Sequence, residues 1–478
     1  MLMKQLNTPS SFSIFLLTAF FSCSSDPGPG NSTEQKSTID YEFWLTNSDK
    51  SVLFQQQTAG QSITTGSTTP TITVNSAQSY QEIDGFGSAL TGGSATLLHQ
   101  MSTAARATII KELFAVDGNN IGISYLRVSI GASDLDDHVF SYDDLPMGQT
   151  DTAMVQFSID PDRTHLIPIL KEILAINPDI KILGSPWSAP VWMKSGGSSI
   201  GGSLKPQYYA AYAKYFVKYI QAMKNEGIRI DAITVQNEPL YGGNNPSMVM
   251  QAADQAFFIK KYLGPAFAAN NVDTKIIIYD HNADRTDYPI TVLNDTTARK
   301  YIDGSAFHLY GGNINDLSAV HDAHPDKHLY FTEQWIGAPG NFPTDLKWHV
   351  GTLIIDGTRN WCRNVLEWNL AADPNQDPHT PGGCTQCLGA LTISGDDVGR
   401  NPAYYILAHA AKFVRPGSVR IESNQPAGLS SVAFQRTDGK KVLVVLNDGT
   451  QTQVFKINDG GKEIASYLKA GSVGTYMW

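Results

Sequence analysis

Two glutamates stand where a pair of carboxyl groups could break a glycosidic bond. Glu238 lies in the segment 233–239 and Glu333 in the segment 329–335, and each follows a short apolar stretch of β-prone residues. Each carboxylate is therefore predicted at the C-terminal end of a buried strand. Glycosidic cleavage requires one carboxyl group that protonates the leaving oxygen and a second that meets the oxocarbenium-like centre. The pair thus indicates glycosidase chemistry.

The strands that would carry these carboxylates recur along the chain. A (β/α)₈ barrel keeps its catalytic groups at the C-terminal strand ends, because the loops that follow the strands build the mouth of the site. Apolar, β-prone stretches are predicted as eight barrel strands at residues 83–90, 123–129, 181–185, 232–236, 275–279, 304–308, 328–332 and 365–369. Amphipathic patterns between them predict helices, for example at residues 103–113, 207–224 and 252–267. The alternation predicts an α/β fold, a (β/α)₈ TIM barrel over residues 81–413.

Strand patterns flank the predicted barrel on both sides. After a last helix near residues 403–413, the chain shows only strand patterns and turn signals, such as the apolar run 441–446 and the Asn-Asp-Gly turn that follows it. We therefore predict an appended β-sandwich at residues 414–478. Residues 41–80 include a Thr-rich alternating stretch and are predicted to add N-terminal strands to the same sandwich.

The first residues predict export. Residues 1–22 contain an apolar run from Phe12 to Phe21, which suits a signal peptide and is too short to cross a bilayer as a helix. Cys23 resembles a bacterial lipoprotein processing site, at which the cysteine is acylated, and residues 23–40 would then form a Pro-, Gly- and Ser-rich tether. Plain secretion, with Cys23 inside a removed peptide, is the alternative. We expect a secreted protein, lipid-anchored at a bacterial outer membrane or cell surface, or periplasmic.

Composition argues against some classes of partner. The formal net charge is −10 and no basic run is present, which argues against nucleic acid or an anionic membrane surface as partner. The 8 Trp and 20 Tyr offer flat apolar faces on which sugar rings can stack. We therefore expect a neutral polymer as substrate, membrane contact only through the lipid anchor, and a monomer.

Six short motifs together resemble glycoside hydrolase family 30. They occur in order at residues 81–87 (QEIDGFG), 185–194 (SPWSAPVWMK), 236–239 (QNEP), 280–282 (DHN), 368–370 (WNL) and 412–417 (KFVRPG). This family includes glucosylceramidases, endo-β-1,6-glucanases and some xylanases, and its fold is a barrel with a side β-sandwich. The resemblance thus implies the same fold that the strand pattern predicts.

The resemblance also implies roles for the two glutamates. Glu238, at the end of strand four, matches the family's acid/base, and Glu333, at the end of strand seven, matches its nucleophile. Carboxyl groups about 5–5.5 Å apart would leave no room for water beneath the sugar and would give retention through a covalent intermediate. Glu238 must then be protonated, which calls for a pKa raised by burial and by the neighbouring charge. The alternative for either glutamate is an ordinary ion pair.

Residues near the same strand ends are candidates for binding the substrate. The amide of Asn237 is suited to bond the sugar 2-hydroxyl, with a turn cap as the alternative. Arg127 matches a family arginine that would keep Glu333 ionised, with a structural ion pair elsewhere as the alternative. His308 and Tyr310, after strand six, could line the sugar subsite, although His308 could equally be a core histidine. Aromatic walls are expected from Trp187, Trp335 and Trp368 and, further out, from Tyr241 and Trp192, which could belong to packing instead.

Three cysteines remain after the predicted processing. Cys384 and Cys387 form a C-x-x-C pair in the loop after strand eight, and the second pair that a zinc site would need is missing. We therefore predict a local disulfide. Cys362, in an apolar barrel segment, is predicted to be a buried free thiol. One His-rich run lacks a carboxylate pattern and is interpreted as a solvated turn without metal: His321, His324 and His328. No metal or cofactor is expected.

The loop after strand eight also predicts the substrate. With its Cys pair, the loop 371–392 resembles the β-1,6-glucanase branch of the family more than the xylanase branch. The prediction is an endo-β-1,6-glucanase that cleaves a β-glucan oligosaccharide or polysaccharide by double displacement. The alternatives are an exo-acting β-glucosidase or glucosylceramidase and, from a different class, a non-catalytic surface glycan-binding protein. The last would require a missing acid or nucleophile.

Overall fold

Eight parallel strands close into the predicted barrel. The computed structural model describes residues 39–58 and 63–478. The barrel strands are β1 (Gly85–Ala89), β2 (Tyr125–Ser129), β3 (Lys181–Ser185), β4 (Ala232–Thr234), β5 (Lys275–Asn282), β6 (Ile302–His308), β7 (His328–Glu333) and β8 (Cys362–Asn369). Neighbouring strands pair in parallel, and β8 pairs with β1 to complete the circle. The predicted TIM barrel is confirmed.

Side chains from successive strands fill the barrel. One buried cluster takes a residue from each strand from β2 to β8: Tyr125, Leu183, Ala232, Ile277, Ala306, Tyr330 and Leu366. At Gly87 in β1, a Cβ atom would lie 1.8 Å from the carbonyl oxygen of Tyr125, so only glycine fits there. Because the interior is a packed core rather than a pore, chemistry is confined to the strand ends.

Helices connect the barrel strands. The α-helices are Gly92–Gln100, Thr103–Phe114, Asp160–Arg163, Leu166–Ile176, Tyr209–Asn225, Ala252–Phe258, Gly264–Ala269, Asp287–Asn294, Thr296–Arg299, Leu317–Ala323, Phe342–Trp348 and Pro402–Ala411. Two π-helical segments continue α-helices, at Ile259–Leu263 and His349–Gly357. Short 3₁₀ turns lie at Val191–Met193, Ser195–Gly197, Pro206–Tyr208, Ala283–Arg285 and Ile314–Asp316.

Both ends of the described chain build the β-sandwich. Its nine strands follow one another in the order Gln55–Gln57, Glu42–Thr46, Val473–Met477, Lys441–Asn447, Leu429–Gln435, Val419–Ser423, Thr71–Glu82, Gln453–Asp459 and Lys462–Leu468. Three of these strands precede the barrel in sequence, and Glu42–Thr46 pairs antiparallel with Val473–Met477. The strand Thr71–Glu82 ends two residues beyond the predicted boundary at residue 80. The chain therefore leaves the sandwich, forms the barrel and returns.

Alternating side chains give the sandwich two apolar faces. Along Lys441–Asn447, Leu443 and Val445 join a core within the sandwich, whereas Val442 and Val444 pack into the large core that includes the barrel. The barrel and the sandwich thus share a buried interface.

Short strands also organise the loops after β7 and β8. Ile336–Gly337 pairs antiparallel with Cys387–Leu388. A separate three-stranded sheet consists of Ala371–Ala372, Leu391–Ser394 and Asp397–Arg400.

No helix in the described part of the chain combines the length and apolar character needed to cross a membrane. The predicted signal peptide, Cys23 and the tether up to residue 38 lie outside the described residues.

Candidate active site

Glu238 and Glu333 lie in one cleft at the C-terminal end of the barrel. Glu333 is the last residue of β7. Glu238 follows β4, has a left-handed backbone with φ of 43°, and donates its N–H to the carbonyl oxygen of Asp280 at 3.0 Å. A carboxylate oxygen of one glutamate lies within 4.8 Å of a carboxylate oxygen of the other. This gap fits direct attack by one carboxylate, because an intervening water would need a separation of about 6.5–9.5 Å.

The cleft has a volume of about 500 Å³ and contains both carboxylates. The C-terminal ends of β5, β7 and β8 and the loops after six strands line it, through Asp134, Trp187, Glu238, Tyr241, Asn244, His281, Asn282, Tyr310, Glu333, Trp335, Trp368, Cys384 and Cys387. Tyr241 and Tyr310 form its rim, with 50% and 41% of their surfaces exposed. A pocket of this size, apolar on its walls and acidic at its centre, is suited to bind a small polar molecule.

Arg127, on β2, is fully buried and contacts the nucleophile candidate. Its Nη1 donates to Oε2 of Glu333, and its Nη2 donates to Asn237 at 2.6 Å and to Asp280 at 2.8 Å. The guanidinium also lies 4.8 Å from the ring centroid of Trp187. The predicted positive charge is therefore beside Glu333. Because Arg127 is fully buried, it acts through its neighbours and not by touching a sugar, which corrects its assignment as a substrate-binding residue.

Asp280, near the end of β5, is a buried carboxylate that the sequence prediction missed. It accepts hydrogen bonds on Oδ1 from Thr332 (2.6 Å) and His308 (3.1 Å), and on Oδ2 from Arg127 (2.8 Å), Ser185 (2.8 Å) and Thr234 (2.7 Å). Burial alone would raise the pKa of Asp280, but Arg127 and His308 outweigh that effect and hold it well below its ordinary range. The Asp-His-Asn motif marked this residue in the sequence, without indicating its role.

The structure corrects the prediction that His308 lines the sugar subsite. The side chain is fully buried and does not reach the surface of the cleft. Its Nδ1 lies 3.2 Å from Oε1 of Glu238, and its Nε2 lies 3.1 Å from Oδ1 of Asp280. Burial alone would lower the pKa of His308, but Glu333, Asp280 and Glu238 raise it to about 9. His308 is therefore a charged partner of the acid/base candidate.

The pKa of Glu238 differs from the expectation. Burial alone would raise it, but the hydrogen bond and the charge of His308 outweigh burial and lower the pKa. Burial raises the pKa of Glu333, although His308 and Arg127 oppose the rise. The proton nearest to Glu238 therefore belongs to His308, 3.2 Å from the carboxylate oxygen that would need it.

Asn237 and Tyr310 extend the contacts around the nucleophile candidate. The side-chain oxygen of Asn237 accepts from Arg127, which orients the amide so that Nδ2 is its remaining donor. Tyr310 donates to Oε1 of Glu333 at 2.9 Å. Since Arg127 binds Oε2, both oxygens of Glu333 are fixed in place.

Aromatic rings form one wall of the cleft. Trp187 and Trp368 stack with ring centroids 5.4 Å apart, and Trp335 packs against the same cluster. Trp192 does not line the cleft and instead meets Tyr208 edge-on, with centroids 5.0 Å apart. The first three rings therefore lie where the sequence places them, and Trp192 belongs to the packing.

Asp134, after β2, is a second acidic residue that the sequence prediction missed. It lines the cleft and is 7% exposed. Burial and the charge of Glu333 raise its pKa to about 7. Its Oδ2 accepts the backbone N–H of Cys384 at 3.4 Å. No short motif in the sequence marks this residue, because its position depends on how the loop after β2 folds back over the barrel.

Cys384 and Cys387 are bonded to one another and line the cleft. Cys362 is a buried free thiol. The solvated-turn interpretation of the His-rich run is wrong, because each histidine has its own partner: His321 stacks on Trp361, His324 is buried against Arg299, and His328 contacts Arg363.

Three side chains in the described part of the chain could together reach one metal ion: Glu238, His308 and Glu333. Both ring nitrogens of His308 already face carboxylates, and the guanidinium of Arg127 is in contact with Glu333. A fixed positive charge in contact with a ligand oxygen disfavours a second cation there. These contacts therefore do not favour a metal ion among the three side chains.

Comparison with known proteins agrees with this geometry. Residues 83–414 match the Glycosyl hydrolase family 30 TIM-barrel domain, and residues 417–476 match the Glycosyl hydrolase family 30 beta sandwich domain. An endo-1,6-beta-D-glucanase from Aspergillus fumigatus is 34% identical in an alignment of 435 positions that covers 85% of this chain and 87% of the relative. A lysosomal acid glucosylceramidase from Mus musculus is 28% identical over 85% of this chain and 83% of its own length.

A solved structure of an endo-beta1,6-glucanase superposes with a TM-score of 0.86 at 36% identity, over 92% of this chain and 99% of that chain. The family that the six motifs predict is thus confirmed over both domains. The chain belongs to glycosyl hydrolase family 30 and is a glycoside hydrolase.

Proposed function

We propose that this protein cleaves internal β-1,6 linkages of a glucan with retention of anomeric configuration. The observation that carries the proposal is the approach of Glu238 and Glu333 to within 4.8 Å in one cleft. Support for the linkage comes from the relatives named endo-1,6-beta-glucanases, which are 34% and 36% identical to this chain.

In the first step, Glu333 attacks the anomeric carbon while Glu238 protonates the departing oxygen. Arg127 and Tyr310 bond the two oxygens of Glu333 and so orient the attacking carboxylate. The sugar–oxygen bond breaks as the glycosyl ester with Glu333 forms. Asp280 still balances the charge of Arg127 once the carboxylate has become an ester.

The proton for the leaving oxygen comes from the pair formed by His308 and Glu238. When a sugar displaces water from the cleft, a separated ion pair is disfavoured, because charges are costly in a less polar environment. The proton then moves along the 3.2 Å hydrogen bond from His308 to Glu238. After ester formation, Glu238 as a carboxylate accepts a proton from the attacking water.

Polar and aromatic groups of the cleft would hold the sugar. The Nδ2 donor of Asn237 suits the 2-hydroxyl beside the nucleophile, and Asp134 can accept from another hydroxyl. Internal cleavage requires space for sugars beyond the cleaved unit. The exposed rings of Tyr241 and Tyr310 extend the aromatic surface outward from the cleft, which supports this mode.

Digestion of pustulan tests the substrate. A ladder of gentio-oligosaccharides on chromatography is expected from internal cleavage. Release of glucose alone would instead support an exo-acting β-glucosidase or glucosylceramidase, the class of the 28% identical mouse relative. A Glu238→Gln variant is the control with low activity. If the wild type were no more active than this variant on pustulan and on an aryl β-glucoside, the non-catalytic glycan-binding alternative would replace the proposal.

Azide rescue distinguishes the roles of the two glutamates. We expect Glu333→Ala to lose on the order of 10³-fold or more in kcat on an aryl β-glucoside. Azide should restore turnover and give an α-glycosyl azide, because the small anion enters the space of the missing nucleophile. Glu238→Ala should give the β-glycosyl azide instead, since Glu333 still forms the ester. The opposite pair of products would reverse the assignment.

We further propose that the protein is exported and anchored through Cys23. The support is the apolar run from Phe12 to Phe21 and the small residue before Cys23. Radiolabelled palmitate should enter the expressed protein and not a Cys23→Ala variant. A soluble, unlabelled protein in the medium would support plain secretion instead.

A further inference from the structure

The loop after β8 carries a disulfide into the wall of the cleft. We call residues 373–390 the disulfide loop. Cys387 belongs to a buried cluster with Trp187 and Trp368, and Cys384 packs against that cluster from outside. The disulfide thus supports the rings that would face a bound sugar.

Hydrogen bonds tie the disulfide loop to the loops after β2 and β4. The backbone of Asp134 accepts the N–H of Thr380 at 2.9 Å, and its side chain accepts the N–H of Cys384 at 3.4 Å. The hydroxyl of Thr380 donates to the carbonyl oxygen of Asn245 at 2.5 Å, and the amide of Asn245 donates to Pro381 at 3.0 Å. One loop therefore holds the two walls of the cleft that follow β2 and β4.

The same loop is joined to the segment that follows the nucleophile. Ile336 pairs with Leu388, and Gly337 pairs with Cys387, just beyond Trp335 in the cleft. The N–H of Ala338 also donates to the carbonyl oxygen of Gln386 at 2.8 Å. The disulfide closes the turn between the Asp134 contact and this strand pair, so it fixes the distance between them.

The reacting carboxylates are held by hydrogen bonds of their own, and the wall that the disulfide supports meets this network where Trp187 lies beside Arg127. Within the described residues, Glu333 is bonded by Arg127 and Tyr310, and Glu238 by His308, with no hydrogen bond to the disulfide loop. Opening the disulfide would therefore disturb the walls of the cleft before it disturbs the catalytic groups.

We propose that the Cys384–Cys387 disulfide is a positioning element that sets substrate affinity, and that its reduction weakens binding without stopping the chemical step. This inference rests on the glycosidase function proposed above. Cys384 is half-buried and lines the open cleft, through which an external thiolate would reach its sulfur.

The redox step is a two-electron exchange with a dithiol such as dithiothreitol. One thiolate of the reductant attacks the sulfur of Cys384, the S–S bond breaks, and the sulfur of Cys387 leaves as a thiolate that takes up a proton. The second thiol of the reductant then displaces Cys384 and closes a cyclic disulfide. The enzyme gains two thiols, and the dithiol is oxidised.

Kinetics of the full-length enzyme test the proposal. With dithiothreitol, KM for gentio-oligosaccharides is expected to rise about tenfold. Without the disulfide the wall of the cleft is no longer preorganised, so part of the binding free energy of the substrate is used to order it. We expect kcat to change by less than about twofold. Titration of thiols should show two new groups, and circular dichroism should stay unchanged. If the disulfide only stabilised the fold, its reduction would lower Tm and leave KM unaltered. That result would overturn the proposal.

Two variants make the test specific. Cys384→Ser/Cys387→Ser should show the raised KM without reductant and no further response to it. Cys362→Ala, which keeps the disulfide, should respond as the wild type does. An equal response of the double serine variant to dithiothreitol would assign the effect elsewhere and refute the proposal. A wild type inactive on every glucoside would instead contradict the proposed function and is detected before reductant is added.

Discussion

At the scale of single residues, Asp280 links the two halves of the proposed mechanism. It binds Arg127, which contacts the nucleophile candidate, and His308, which contacts the acid/base candidate. Its own hydrogen bonds to Thr332, Ser185 and Thr234 fix it against three other strands. A single buried carboxylate thus balances both positive charges of the site.

Replacing Asp280 with Asn should therefore impair both catalysis and stability. The change leaves Arg127 and His308 short of a counter-charge in a buried environment, which costs roughly 3–5 kcal/mol of unfolding free energy. We expect kcat on an aryl β-glucoside to fall by about 10²-fold or more, because both reacting carboxylates lose their orientation. Urea unfolding and steady-state kinetics measure the two effects. Asp284→Asn, an exposed change in the next loop, is the control; if both variants retained full activity, the linking role would be refuted.

The pH profile should report the proton of His308. Because its pKa is raised to about 9, that proton is present below pH 9 and is lost above it. The alkaline limb of kcat/KM is therefore expected near pH 9 and not near the ordinary histidine value of about 6.5. In a His308→Asn variant Glu238 must hold the proton alone. The alkaline limb of kcat/KM should therefore shift to a pH lower by at least about one unit. Rates between pH 4 and 10 measure it, and an unchanged limb would exclude His308 as the proton source.

The positions of the two candidate catalytic glutamates could be predicted from the sequence, because each stands in a short motif at the end of an apolar stretch. The central position of Asp280 and the contacts of His308 with two carboxylates could not be predicted. Their importance arises from contacts between β2, β4, β5 and β6 across the barrel mouth, and one-dimensional spacing does not show which side chains meet there. The raised pKa expected for Glu238 failed for the same reason, because it depends on the contact with His308.

At the scale of elements, the loop between β2 and β3 carries buried acids outside the catalytic network. Asp162, in the helix Asp160–Arg163, is 5% exposed and accepts from the hydroxyl of Tyr142 at 2.5 Å. Burial raises the pKa of Asp162 to about 7. The folded state thus keeps a proton that the unfolded chain releases above about pH 4. Stability is therefore lost as the pH rises from about 4 to 7.

Asp162→Asn should remove this loss. The Asn oxygen can still accept from Tyr142, and the side chain no longer ionises. We expect the free energy of unfolding to rise by about 1–3 kcal/mol at pH 8 and to change little at pH 4.5. Urea titrations at the two pH values measure the difference, with the exposed Asp160→Asn as control. A gain of equal size at both pH values would mean that ionisation is not the cause.

The barrel strands could be predicted from apolar periodicity because each is short, buried and bounded by turn residues. The internal geometry of some elements could not. The helix predicted at residues 252–267 contains the π-helical turn Ile259–Leu263 between two α-helices. The short strands Ile336–Gly337 and Cys387–Leu388 exist only because their loops meet above the barrel. Such features follow from tertiary contacts, and local sequence propensity gives no information about those contacts.

At the scale of the whole molecule, the sandwich and the barrel form one buried unit. Val442 and Val444 of the sandwich share the large core with the barrel. His409, in the last barrel helix, is fully buried and lies 2.8 Å from the hydroxyl of Thr46 and 2.9 Å from that of Thr475. These two threonines lie on strands from opposite ends of the chain, so one histidine joins the barrel to both.

The hydrogen bonds also determine the protonation of His409. Thr475 donates its hydroxyl to the carbonyl oxygen of His409 and must accept from Nδ1–H. Nε2 then accepts from Thr46, whose oxygen accepts the N–H of Phe54 at 3.0 Å. The ring is neutral, and burial lowers its pKa to about 3. Because the unfolded histidine titrates near 6.5, the stability from this group is present above that pH and is lost as the pH falls toward 3.

A His409→Phe variant should therefore weaken the whole molecule and not one domain. It leaves the hydroxyls of Thr46 and Thr475 without their ring partner, which costs about 2–4 kcal/mol. Calorimetry at pH 7 should show one transition at a lower Tm, because loss of the shared interface exposes the barrel and the sandwich together. His409→Gln keeps a donor and an acceptor and should cost less, and its deficit relative to the wild type should shrink between pH 7 and pH 5. Two separate transitions, with the barrel unfolding at the wild-type temperature, would show that the domains are stable independently.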